Sequence, residues 1–137
     1  MGIKYINIIS YILKTMSKTK RLQRSFWFAF RGFYTAFRQE PNFRIHTLVG
    51  LLATVMGILL GLRLIEWVIL TFTIIFVLIL ELINTGMEAV VDLVSPKVQE
   101  KARIAKDVSA AAVLLAAIFS VIVGITLFLP KLLVLLT

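Results

Sequence analysis

The chain has 137 residues, 60% of them hydrophobic, and a mean hydropathy of +0.98. That share is far above a soluble domain's, so the composition excludes an ordinary water-soluble enzyme and makes the bilayer the expected solvent. The net charge of +8 suits nucleic acid or anionic lipid, and in so apolar a chain anionic lipid headgroups are the expected partner rather than nucleic acid. With no cysteine, disulfides and thiolate metal sites are excluded.

Residues 1–21 read as a basic leader, with a weak surface helix over 4–18. The first 44 residues are too broken by charge to supply the apolar stretch of a secretory signal. From residue 22 the chain reads as one integral-membrane domain to residue 137. It starts with an amphipathic helix over about 22–39. There Arg24, Arg31 and Arg38 recur every seventh residue among Phe26, Trp27, Phe28, Phe30, Phe33, Tyr34 and Phe37. That pattern predicts a helix in the headgroup plane, with basic side chains to phosphates and aromatic rings to acyl chains. Glu40-Pro41 predicts a turn, because the residue before a proline leaves the helical region.

Three transmembrane spans follow, over about 45–62, 64–94 and 105–129, the last ending at Pro130. The expected fold is therefore an all-α membrane protein of three transmembrane helices and an N-terminal amphipathic surface helix. Small residues mark span one (Ala53, Gly57, Gly61) and span three (Ala112, Ala116, Ser120, Gly124), a pattern that lets helices approach closely in lipid. Three spans hardly enclose a polar site, so a homo-oligomer with shared sites is expected. Nine Lys or Arg residues precede span one, and Lys97, Lys101, Arg103 and Lys106 separate spans two and three. The loop between spans one and two carries only Arg63, balanced by Glu66. The positive-inside rule thus puts the N-terminus and the 95–107 loop in the cytoplasm. His46 starts span one at headgroup level and reads as an interfacial residue rather than a ligand.

The richest stretch is Glu81-Leu-Ile-Asn84-Thr85-Gly86-Met87-Glu88-Ala-Val-Val-Asp92. At about 100° per residue, Glu81, Asn84, Thr85, Glu88 and Asp92 fall within roughly a 100° arc of one helix. Ionisable groups in a span mark a functional site by default. Glu81 lies about 24 Å along the helix from Ile65, within hydrocarbon near the cytoplasmic boundary. Glu88 and Asp92 reach the interface or beyond. Mg²⁺ is usually held by one or two carboxylates together with substrate phosphates. Lys106 could meet a polyphosphate, and Asp107 could accept from a nucleotide hydroxyl or amine. Glu81 suits a general base for a lipid hydroxyl. These parts describe phosphoryl transfer from Mg-ATP to a membrane alcohol, a reaction dominated by positioning and charge neutralisation. On the residues alone, a structural polar stripe is equally open, with Asn84 and Thr85 joining helices and the acids paired to the basic loop.

The same stretch closely resembles the signature of the prokaryotic diacylglycerol kinase family, E-x-x-N-[ST]-[AG]-x-E-x-x-[VI]-D. Ala36-Phe-Arg38-Gln39-Glu40, Asn42-Phe-Arg-Ile-His46 and Ala105-Lys106-Asp107 look like the same family. Ile65-Glu66-Trp67 and Leu129-Pro130-Lys131 are similar to its Gram-positive and cyanobacterial branches, which include undecaprenol kinases. The resemblance covers about residues 24–131 and implies a three-span homotrimeric lipid kinase of the bacterial cytoplasmic membrane, using ATP and Mg²⁺ on diacylglycerol or undecaprenol. By motif position it implies Glu81 as catalytic base and Glu88 as the metal-binding carboxylate. Asn84, Asp92, Lys97, Lys106 and Asp107 fall to the nucleotide and reacting groups, and Ala36, Phe37, Arg38, Gln39 and Glu40 to the lipid site.

Two positions depart from the pattern. Tyr34 stands where the best-known branch has a second metal-binding glutamate, and Pro96-Lys97-Val98-Gln99 stands where members often carry an aromatic-His pair. Gly86 replaces the commoner alanine. A non-catalytic assembly or regulatory protein and a small proton-coupled transporter are the competing expectations. No P-loop and no protein-kinase motif set occurs.

Overall fold

The computed structural model describes residues 18–95 and 99–136. Among the described residues there are four helices and no strand: α1 (Lys18–Gln39), α2 (Pro41–Leu59), α3 (Leu64–Val94) and α4 (Glu100–Leu136). Three of these, α2, α3 and α4, are long and apolar enough to cross a bilayer. The chain is thus an all-α membrane protein, one of the two architectures that satisfy every backbone polar group in lipid. The expected leader and weak surface helix lie, up to residue 17, outside the described residues.

The chain divides into two compact units, one ending at Thr35 and the other starting at Ala36. In the first, α1 exposes Phe26, Trp27, Phe28 and Phe30. The Arg31 guanidinium lies 5.5 Å from the centre of the Trp27 ring, a cation–π contact one helical turn apart. This helix begins at Lys18, a turn earlier than its aromatic run suggested.

The second unit opens at the turn that Glu40-Pro41 predicted. Glu40 is extended (φ −100°, ψ 110°) and Pro41 is the first residue of α2. A proline suits that position, because its fixed φ is helical and its missing N–H has no intrahelical partner anyway. The first span therefore starts at Pro41 rather than residue 45, which puts Arg44 and His46 inside the helix.

α2 ends at Leu59 rather than 62. Leu62 N–H donates to the Gly57 carbonyl (3.1 Å) and Gly61 N–H to that of Ile58 (3.3 Å). With Gly61 at φ +61°, this is the left-handed glycine cap of a helix C-terminus. Gly61 thus closes the helix and does not extend the small-residue stripe expected of it. Gly57 faces Leu62, Trp67 and Leu70 of the same chain. Gly50 faces Ile74, so both glycines set how closely α2 approaches α3.

α3 spans 31 residues, about 46 Å, and its bounds are those expected. That exceeds the ~30 Å hydrocarbon thickness, so the turns after Asn84 have length to project beyond it. α4 runs through Pro130 to Leu136, past the stop expected at 129. The proline removes one backbone N–H, which a transmembrane helix tolerates where neighbouring groups compensate. Here Lys131 pairs with Glu66 of α3 at 3.1 Å, tying the last turns back to the bundle. Glu66 also accepts the Arg63 backbone N–H at 2.7 Å, fixing the start of α3. Beside this ion cluster Leu62, Leu70, Leu127 and Phe128 form a buried core. At the opposite end of the bundle the contacts become polar.

Candidate active site

α3 is the central helix, and its polar face meets α2 on one side and α4 on the other. Glu81 is 2% exposed, the most buried charged side chain among the described residues. His46 of α2 places Nε2 3.3 Å from Glu81 Oε1. The pair is in contact without hydrogen-bond alignment, and Oε1 is buried with no hydrogen bond. Buried carboxylates are ordinarily satisfied, so an orphaned oxygen marks a place where a proton or ligand is handled. The carboxylates of Glu40 and Glu88 are close enough to act on Glu81 by charge.

One turn further, Asn84 donates its amide N–H to Glu88 Oε1 at 3.0 Å. Its carbonyl accepts the Ser109 hydroxyl of α4 at 2.6 Å. Ser109 also lies 2.9 Å from the Lys106 carbonyl, so its single proton is shared between two acceptors. About two turns beyond Asn84, Lys106 of α4 donates to Asp92 Oδ1 at 2.7 Å. Helical spacing on α3 thus becomes a ladder: Glu81 to α2, then Asn84 and Asp92 to α4. Thr85 donates to the Glu81 backbone carbonyl at 3.0 Å and adds no rung to the ladder.

The structure brings together Glu81, Asn84, Glu88, Asp92 and Lys106. Asp107 stands apart, exposed and bonded to Arg103 at 2.9 Å. In the lipid-site segment, Ala36 is buried at 1% exposure, while the Phe37 ring meets that of Phe43 edge-on at 6.5 Å. Arg38 and Gln39 are exposed and Glu40 is half-buried. Lys97 lies outside the described residues. Among the described residues no three His, Asp or Glu side chains cluster as a closed metal site. Glu88 commits one oxygen to Asn84 and keeps the other, a donor that fits an ion sharing its remaining ligands with phosphates and water.

Two partners escaped the sequence reading. His46 is no mere interfacial residue, since it touches Glu81; the signal was that α2 begins at Pro41 and puts His46 a turn and a half inside. Ser109, three residues beyond Lys106, fell on the face of α4 already marked by Lys106. An apolar groove of about 670 Å³ between α2 and α4, floored by α3, starts at His46 and reaches Leu132 past Ala53, Val77, Ser120 and Phe128.

A three-span membrane protein with a sealed carboxylate against a histidine that lines an apolar groove, and a Lys–acid pair about three turns further on, has the layout of an enzyme acting on a membrane-embedded substrate. The sequence profile of prokaryotic diacylglycerol kinase matches residues 27–128, and the chain belongs to that family. It is 50% identical over 110 residues to a diacylglycerol kinase of Synechocystis, covering 80% of this chain and 63% of that protein. It is 39% identical over 116 residues to the undecaprenol kinase of Bacillus subtilis, covering 85% and 94%. It is 34% identical over 102 residues to the diacylglycerol kinase of Escherichia coli, covering 74% and 84%.

Proposed function

We propose that the protein is a lipid kinase that transfers the terminal phosphate of ATP to the hydroxyl of a membrane alcohol, diacylglycerol or undecaprenol. The observation that carries this reading is Glu81, sealed at 2% exposure with an orphaned carboxylate oxygen. As the hydroxyl oxygen attacks the γ-phosphorus, Glu81 takes its proton and the bond to the ADP oxygen breaks. Asn84 and Ser109 orient Glu88, and Lys106, held by Asp92, presents a cation to the polyphosphate. Such transfers depend on positioning and charge neutralisation. Glu88 would hold Mg²⁺ through its remaining oxygen, and a bound ion would neutralise phosphate charge there.

The groove that starts at His46 supports a long apolar acceptor, whose tail would lie along α3 with its hydroxyl toward Glu81. Between the two candidates, the near full-length match to an undecaprenol kinase favours the polyprenol. In this reading the protein sits in the bacterial cytoplasmic membrane with its N-terminus and the Glu88–Asp92 end in the cytoplasm, held near anionic headgroups by the arginines of α1. It works as a homotrimer, which would cover apolar side chains now exposed on α2 and α4 and complete the polar site. Arg38 would contribute to lipid binding in that assembly.

The test is radiolabelled ATP with each lipid in parallel, in vesicles with Mg²⁺, using wild type, Glu81→Gln and Glu88→Ala. Labelled lipid from wild type and none from either variant supports the reading. No labelled product from wild type with either lipid refutes it, and product that persists in Glu88→Ala removes the metal role.

A further inference from the structure

We propose that His46 is the proton outlet of Glu81, a positioning residue that resets the base after each turnover. This inference rests on the reading of Glu81 as base. Each cycle leaves on Glu81 the proton of the lipid hydroxyl, and that proton has to depart before the next acceptor can react. The Glu81 side chain is only 3% exposed. His46, in contact at 3.3 Å, is 23% exposed. The contact joins the sealed carboxylate to a more accessible side chain.

The chemistry of the pair changes with the proton. A neutral imidazole has one donor and one acceptor nitrogen, and a carboxylate only acceptors. At rest the contact is not a hydrogen bond, and Oε1 stays unpartnered. Once Glu81 carries a proton it has an O–H to donate. A side-chain rotation then aims that O–H at the Nε2 lone pair. Transfer breaks the O–H bond, forms N–H, and leaves carboxylate and imidazolium. His46 lies five residues from Pro41, in the end of α2 that carries the exposed Arg44, and there the imidazolium releases its proton to water or buffer and returns to neutral. No oxidant or co-reactant is needed. The charged groups that act on the Glu81 end of this pair are Glu40, just before α2, and Glu88 of α3, both anionic. On the α4 side, the groove that His46 lines presents no charged side chain.

The alternative is that His46 only packs against Glu81. The two roles separate in kinetics. The experiment compares wild type, His46→Ala and His46→Gln in lipid vesicles, with radiolabelled Mg-ATP and the acceptor wild type uses. Single-turnover phosphorylation is followed beside steady-state turnover, with and without added imidazole. The outlet role predicts single-turnover rates within about threefold of wild type and steady-state rates down by about tenfold or more, in line with loss of a proton-transfer group. Imidazole restores turnover to His46→Ala by several-fold. His46→Gln, close to histidine in size and unable to carry the proton, behaves like His46→Ala and guards against a packing defect. Steady-state turnover unchanged in His46→Gln overturns the inference. Equal loss in both kinetic phases with no response to imidazole also overturns it. If wild type is active and Glu81→Gln inactive while His46→Gln is fully active, only the inference fails. If wild type phosphorylates neither lipid, the functional reading fails with it.

Discussion

Gly50 sits one turn beyond His46 on α2, against Ile74 of α3, and it sets the distance across which His46 reaches Glu81. A Cβ built on Gly50 falls 2.8 Å from Ile74 Cγ2, with two more side-chain carbons of Ile74 within 3.8 Å. A β-branched side chain in a helix has one strongly preferred rotamer, so Ile74 cannot swing aside and the helices themselves have to part. Overpacking of this kind costs about 1–3 kcal/mol. Replacing a helical glycine by alanine returns ~1 kcal/mol of helix propensity. The net for Gly50→Ala is therefore a loss of about 0–2 kcal/mol, with activity falling as His46 and Glu81 separate. Gly86 is the internal control. It is on α3, nothing lies within 4 Å of its Cβ direction, and alanine there gains propensity without a clash. Thermal unfolding in detergent, read by tryptophan fluorescence, should rank Gly86→Ala at or above wild type and Gly50→Ala below it. Lipid phosphorylation should fall only in Gly50→Ala. Equal stability and activity of the two variants would refute the argument that close α2–α3 contact positions the site.

Two other predictions concern the α3–α4 ladder. Ser109→Ala removes the hydroxyl held 2.6 Å from the Asn84 carbonyl. It should lower stability by about 1 kcal/mol, the usual worth of one hydrogen bond. It should also reduce kcat with little change in KM for ATP, because Asn84 loses its anchor while Glu88 remains. Lys106→Ala should raise KM for ATP by about tenfold, as expected for a lost charge-assisted contact to phosphate. Its thermal midpoint should hardly move, because exposed ion pairs contribute little to stability. An unfolding midpoint that drops as steeply as ATP affinity would assign Lys106 to structure instead.

Much of this molecule was legible because periodicity survives folding. The residues Glu81, Asn84, Glu88 and Asp92 share a helix face by spacing alone, and the structure joins three of them to neighbouring helices and Glu88 to Asn84. The bounds of α3 were legible for the same reason, as one uninterrupted pattern. The misreadings fall where local signals compete. Pro41 and Pro130 are both helix breakers in principle, yet one starts a helix and the other sits inside one. The difference is tertiary: Lys131 finds Glu66 on another helix, which no local window contains. Gly61 read as a packing glycine and is a cap, since helix packing and a left-handed turn call for the same small residue. The partnership of His46 with Glu81 spans 35 positions, and a lone histidine carries no periodic signal. Ser109 was invisible for a related reason, because its role depends on the register between α3 and α4.

The most direct test of the central claim is the acceptor-lipid assay on Glu81→Gln, a change that keeps size and hydrogen-bonding capacity but removes the proton acceptor. The variant should fold and bind ATP like wild type. Its phosphorylation of diacylglycerol or undecaprenol should fall by roughly 100-fold or more, the range for loss of a general base. Wild-type rates of labelled lipid from Glu81→Gln would contradict the account, because the sealed carboxylate of α3 would then have no part in the chemistry.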